Sequence, residues 1–294
     1  MRAGRDDVYQ GGEDPDTVDP VPESSPPPAV QFDHVALAFD DHVVLKDLSF
    51  TVPIGAMRIL LGASGAGKSL VLKLTLGLLR PDAGAILVNG QRVDTMDERD
   101  LLKMRSGIGM VFQENALFDS LTVAENVGYR LSEESDMSRD DVRTRVEEVL
   151  AFLGLSDFID RMPASLSGGQ RRRVGIARAM ASRPGLMLFD DSTTGLDPVI
   201  SATVDDEIVK LRDLQNVTSV VVSQQIRDAF YIATHKAVRG NGDMRVVNEE
   251  ANQGNAEFMV LHEGRIIFLG RAADLLASTD PYLQRFLYRT LPPW

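Results

Sequence analysis

The 294-residue chain contains no cysteine, which excludes disulfides and thiolate metal sites and fits a reducing compartment. Histidine is scarce too. His34, His42, His235 and His262 are scattered without metal-ligand spacing, and solvated or capping roles are expected for them. No apolar run approaches the ~20 residues that span a bilayer. The opening MRAGRDDVYQGGEDPDTVDP lacks the apolar segment of a secretory signal. A chain soluble by itself, with any membrane role arising through a partner, is the expectation. Positive charge is also short: 31 Lys and Arg stand against 43 Asp and Glu. The net charge of −12 argues against a general binder of nucleic acid. The short basic run Arg171–Arg173 is placed on a helix face.

What is present is an ordinary globular balance, 44% hydrophobic and 25% charged, with material for a core. Residues 1–29 carry seven acids against two arginines and the proline-rich PVPESSPPP, and so read as a disordered tail. From VQFDHVALAF onward, strand-like and helix-like stretches alternate. AMRILLG, GIGMVFQ, LMLFDD and VTSVVVSQ are short apolar runs of the kind found in parallel strands covered on both faces, and SLVLKLTLGLL has helical spacing. An α/β domain with crossover helices follows. The last three runs end in polar residues, where open α/β sheets place their ligands. Within a domain spanning 30–285, residues 114–165 read as an inserted helical subdomain. Residues 236–258 read as a polar surface insertion, FMVLHEGRIIFLG as a hairpin, and 286–294 as a C-terminal tail.

GASGAGKS, residues 62–69, lies between a strand and an apolar helix, the context in which G-x4-G-K-S becomes a phosphate loop. The stretch Gly62, Ala63, Ser64, Gly65, Ala66 and Gly67 can turn backbone N–H groups toward phosphate oxygens, helped by the helix N-terminus. Lys68 would reach the β- and γ-phosphates, and the Ser69 hydroxyl would ligate Mg²⁺. A second glycine-bearing turn, SLSGGQRRRVGIARAM, stands 20 residues ahead of Asp190; alone it could be a helix cap at Ser167.

Taken in order, GASGAGKS, VFQ, LSGGQ, LMLFDD, TGLDP and VVSQ resemble the ATP-binding cassette (ABC) ATPases over residues 30–285. The pairing of FQENALFDSLTVAENV with TTGLDP is more specifically similar to the ATPase subunits of Mla- or MCE-type lipid transporters. This resemblance implies a P-loop NTPase (RecA-like) core sheet with an N-terminal antiparallel β subdomain and the helical insertion. It also implies ATP and Mg²⁺ as cofactors, and a head-to-tail dimer, with an identical copy or a paralogue, that sandwiches two ATPs. An integral-membrane permease would dock near ALFDSLTVAENV and keep the chain peripheral, on the cytoplasmic face of its membrane. By position, Phe39 would stack on adenine, with a core role as the alternative. Gln113 would contact Mg²⁺ or the attacking water, and Asp190 would hold Mg²⁺ through water. Ser167, Gly168, Gly169 and Gln170 would face the γ-phosphate bound by the opposite subunit, and Asp197 would bridge the dimer.

Two positions depart from that family. Asp191 stands where it has the catalytic glutamate, and Gln224, 33 residues on, where it has a histidine at the γ-phosphate. A carboxylate can still orient or deprotonate water. Aspartate is one methylene shorter, however, and a misplacement of about 1 Å costs on the order of a hundredfold in rate. Asp191 as a mere support for Asp190 is the alternative. Glutamine donates a hydrogen bond but cannot become a cation. These residues predict strong binding of Mg·ATP and slow hydrolysis, with a non-hydrolysing, nucleotide-gated subunit as the alternative.

Overall fold

The structure, a computed structural model, describes residues 26–240, 243–248 and 256–290. β1 (Val30–Phe39) and β2 (His42–Val52) form an antiparallel hairpin. The phosphate-loop segment runs from β3 (Met57–Leu61) into α1 (Lys68–Thr75). β4 (Ala83–Val88) and β5 (Gln91–Arg92) then return to the hairpin, giving a small sheet ordered β2-β1-β4-β5. α2 (Glu98–Ser106) leads to β6 (Ile108–Val111). Three helices follow without an intervening strand: α3 (Val123–Glu134), α4 (Arg139–Phe152) and α5 (Gly168–Met180). Next come β7 (Leu186–Asp190), α6 (Pro198–Gln215), β8 (Thr218–Val222) and α7 (Ile226–Thr234). β9 (His235–Gly240) pairs with β10 (Asp243–Asn248) in a separate ribbon, and β11 (Ala256–His262) with β12 (Arg265–Gly270). α8 (Ala272–Leu276) and α9 (Pro281–Thr290) complete the described chain.

The large sheet has the order β12-β11-β3-β8-β7-β6, parallel from β11 to β6 with β12 antiparallel at its edge. Alternation of side chains builds a core on each face. Met57, Ile59, Leu61, Met187, Phe189 and Val221 enter the core shared with α5, α6 and α7. Leu60, Leu186, Leu188, Val220 and Val222 enter the one shared with α1 and the antiparallel sheet. A fully buried side chain of this kind contributes roughly 1.5–3 kcal/mol, which is why continuous apolar runs mark these strands. The predicted helical subdomain consists of α3 and α4 packed on α5. Its helices begin at a Thr122–Glu125 capping box and at Ser138, which caps Asp141 N. Gly128 permits the close approach of α3 to α4, since a Cβ there would lie 3.1 Å from both Val142 and Val146.

Several boundaries differ from the sequence expectation. Residues 1–25 of the expected tail lie outside the described residues, but Ala29 is buried and accepts a 3.0 Å bond from Asn89 N. Ordered packing therefore begins before residue 30. Within 236–258, residues 236–240 and 243–248 make the β9–β10 ribbon, while Ala256 and Phe258 are buried in the main sheet. The polar insertion thus ends sooner than the composition implies. The proposed boundary at 286 falls inside α9, because Leu283 and Leu287 are both buried, and residues 291–294 lie outside the description. His235 and His262 are not simply solvated: each ring stacks on a tyrosine, Tyr231 and Tyr282, at 3.8 and 3.6 Å.

Candidate nucleotide-binding site

Strand register brings the polar ends together. Leu60 and Asp190 both pair with Val222, and Phe189 pairs with Val111, so β3, β8, β7 and β6 end side by side. The loop after β3 can turn there because of its glycines. A Cβ on Gly62 would lie 2.5 Å from Leu261 O, and Gly67, with φ +97°, packs under Leu45 and Val44 of β2. Gly67 caps α1 without a side-chain acceptor, which leaves the Lys68 and Ser69 amides uncapped at the start of the helix.

Lys68 is buried, and its Nζ donates to Gly62 O and Ala63 O, each at 2.9 Å. An ammonium has three donors, so one remains for a phosphate oxygen. Burial pulls the Lys68 pKa down, and Asp191 and Asp190 oppose that shift. The Ser69 hydroxyl donates to Asp190 Oδ1 at 2.8 Å. Burial raises the Asp190 pKa, with the Ser69 bond opposing. Both shifts disfavour the charged forms, and a bound Mg²⁺–phosphate group would reverse that by giving each charge a partner. Among the described residues no three His, Cys, Asp or Glu side chains cluster as a metal site. Mg²⁺ held by one carboxylate, a hydroxyl and substrate phosphates requires no such cluster, so Ser69 and Asp190 fit the ion.

Asp191, the next residue, has different surroundings. Its backbone is left-handed, with φ 48°, and Asp191 N donates to Val222 O at 3.0 Å. The side chain is 3% exposed. Gln224 N donates to its Oδ1 at 2.8 Å, and Gln224 Nε2 donates to its Oδ2 at 2.5 Å. Both carboxylate oxygens therefore accept from the one residue, and the Gln224 amide N–H is committed to Asp191.

The remaining predicted residues fall around this centre. Phe39, at the tip of the β1–β2 hairpin, is 45% exposed, which removes the core alternative. Gln113 lies two residues beyond Val111 with its side chain exposed. Ser167 and Gln170 hydrogen-bond to each other in a capping box, Gln170 N to Ser167 Oγ at 3.2 Å and Ser167 N to Gln170 Oε1 at 2.8 Å. Gly169 is required by packing, because a Cβ would meet Ile200 Cγ2 at 2.3 Å, and Gly168 lies against Leu196. Asp197 caps α6 by accepting from Val199 N and Ile200 N at 3.0 and 3.1 Å. One residue bonded to the site escaped the sequence reading. Arg172 lies on α5, on a helix face as expected, but is buried, and its guanidinium donates to Phe112 O, Gln113 O and Thr194 O. It thereby ties the Gln113 loop to the segment after Asp191. The signal was available in its spacing, since positions 169, 172 and 176 fall on one buried helical face.

A phosphate loop between strand and helix, with a Ser–Asp pair for Mg²⁺ at the same sheet edge, defines a P-loop nucleotide-binding domain. Residues 45–194 match the ABC transporter family. The chain is 34% identical over 258 residues to Protein TRIGALACTOSYLDIACYLGLYCEROL 3, chloroplastic, of Arabidopsis thaliana, covering 85% of this chain and 70% of that protein. It is 35% identical over 244 residues to the Methionine import ATP-binding protein MetN of Bradyrhizobium diazoefficiens, covering 83% and 64%. The chain thus spans about two thirds of the length of these relatives. Among solved structures, a dimeric post-hydrolysis state of the ATP-binding cassette MJ0796 bound to ADP and Pi superposes with a TM-score of 0.68 at 27% identity, covering 82% and 98%. The chain belongs to the ABC transporter family and carries its ATP-binding cassette, the ATPase unit that powers a membrane transporter. The mixed α/β fold with its parallel sheet is that of the P-loop NTPases, as the sequence implied.

Proposed function

We propose that this cassette binds Mg·ATP strongly, hydrolyses it slowly, and does so as one of two nucleotide-binding subunits on a lipid-transporting permease. Slow hydrolysis is carried by one observation: both oxygens of Asp191 are engaged by Gln224. A general base must reach the attacking water, and this carboxylate is short, buried and held in place by Gln224. ATP is bound by Lys68, the 62–67 amides and a Phe39 stack on adenine, and Mg²⁺ by Ser69 and Asp190 with Gln113. Ser167–Gln170 and Asp197 act on the site of the opposing subunit. In the single chain their side chains are satisfied as helix caps, which keeps their backbone in place for a partner. The permease meets the loop before α3, where Asn126 fixes the chain through bonds to Phe118 and Leu121 and Phe118 is left exposed. That permease holds the subunit at the cytoplasmic face of its membrane; no described helix is long and apolar enough to cross one. The lipid cargo is supported by the Mla-like motif pairing and by a plant relative named for a galactolipid.

A second reading, a nucleotide-gated clamp that does not turn over, is favoured by the same Asp191–Gln224 pair. Steady-state phosphate release by the native chain and by Asp191→Glu/Gln224→His separates the two. We expect slow but measurable native turnover that rises by about tenfold or more in the double variant. No native turnover would favour the clamp, and a native rate equal to or above that of the double variant would refute slow chemistry at Asp191.

A further inference from the structure

A cleft of about 460 Å³ opens between the phosphate loop and the C-terminal helix. Gly62–Ser64 and Gln224 form one wall; Tyr282, Arg285 and Phe286 form the other. The spacing of 282, 285 and 286 puts those three side chains on one face of α9. The helix is anchored beside that face, because Leu283 and Leu287 are buried in the core. Asp280 caps the helix by accepting from Tyr282 N at 2.8 Å and Leu283 N at 3.0 Å. The Tyr282 ring stacks on His262 at 3.6 Å. His262 directly follows Leu261, the residue whose carbonyl sits against Gly62. Helix, strand end and phosphate loop are therefore registered to one another, and Arg285 is held at the cleft by a fixed backbone.

The charges of the site make that position informative. Lys68 is one buried cation facing two carboxylates, Asp190 and Asp191, and Gln224 is neutral with its amide committed to Asp191. A triphosphate adds further negative charge, which Lys68 and one Mg²⁺ offset only in part. Arg285 is an exposed, permanent cation whose planar fork matches phosphate oxygens. Its Nε donates to Pro281 O at 3.1 Å. Its two Nη groups donate to no partner among the described residues. We propose that Arg285 binds the terminal phosphate of the nucleotide across the cleft from Gln224, making the site selective for the triphosphate over the diphosphate.

This inference rests on the nucleotide-site reading above, and the test separates them. The full-length protein is titrated with ATP and with ADP in the presence of Mg²⁺, by competition against a fluorescent nucleotide. Melting temperature is recorded for each variant. If the native chain binds no ATP, or binds it as well after Lys68→Ala, the site reading fails and Arg285 falls with it. Where Lys68→Ala abolishes binding, Arg285→Ala should lower ATP affinity about tenfold or more and leave ADP affinity within twofold. Arg285→Lys, which keeps the charge and loses the fork, should fall in between. An unchanged ATP:ADP ratio in Arg285→Ala overturns the proposal. So does an equal loss for both nucleotides, with or without a lowered melting temperature, because that would mean Arg285 supports α9 rather than a phosphate.

Discussion

Asp190 and Asp191 are adjacent in the chain and leave the same strand, yet they belong to two halves of the site with different surroundings. On the Asp190 side, every group that phosphate and Mg²⁺ need is present: Lys68 with a spare donor, Ser69 hydrogen-bonded to Asp190, and a glycine loop shaped by contact with Leu261. On the Asp191 side the carboxylate is short, buried and shared with Gln224. Binding tolerates this arrangement because Lys68, Ser69 and Asp190 make no hydrogen bond to Asp191 or Gln224. Hydrolysis, on the function proposed above, is slowed, because it needs a base placed within a fraction of an ångström of the attacking water. On that proposal the two functions of a nucleotide site would be separated by residues confined to one strand end and its neighbour.

The comparison can be broken first at the binding half. Lys68→Ala removes a buried charged donor and should weaken ATP binding about a hundredfold or more, measured by fluorescent-nucleotide titration. If binding survives, the two halves are not distinct. Gly169→Ala bears on the segment offered to the opposing subunit. The added methyl must displace Ile200, so a loss of about 1–3 kcal/mol in unfolding free energy is expected, read from denaturant melts. Ser69→Ala should raise the Mg²⁺ concentration for half-maximal ATP binding by about tenfold while leaving metal-free nucleotide binding little changed.

The smallest effect comes from a carboxylate remote from the site, which serves as a control. Burial, with Asp228 nearby, pushes the Asp205 pKa up to about 9. The folded state therefore keeps a proton that the unfolded state releases from the ordinary carboxylate range upward, and stability falls as pH rises toward 9. Asp205→Asn should raise the melting temperature more at pH 8 than at pH 5 without altering ATP affinity. An equal shift at both pH values would remove the buried acid from the account.

Much of this was legible in the residues. GASGAGKS announces itself because a phosphate loop is a local structure whose glycines, lysine and serine act within eight positions. The parallel strands could be read because burial on both faces leaves unbroken apolar runs, as at Leu186–Phe189. The Asp191–Gln224 bond could not be read. Both departures were visible, but their contact depends on β7 and β8 ending together and on a left-handed turn at Asp191. Arg172 was hidden for a related reason: a charged triplet on a helix does not by itself say which member packs inward. Arg285 lies 223 positions after Gly62 (285 − 62), and only the tertiary packing of α9 puts both on one cleft.

The central claim, tight binding with slow chemistry, is tested most directly by a single turnover. Native protein in excess is mixed with radiolabelled Mg·ATP, and bound nucleotide is separated and identified over time. The account predicts that bound label stays largely as ATP long after binding is complete, and converts faster in Asp191→Glu/Gln224→His. Conversion to ADP as fast as binding itself would contradict it.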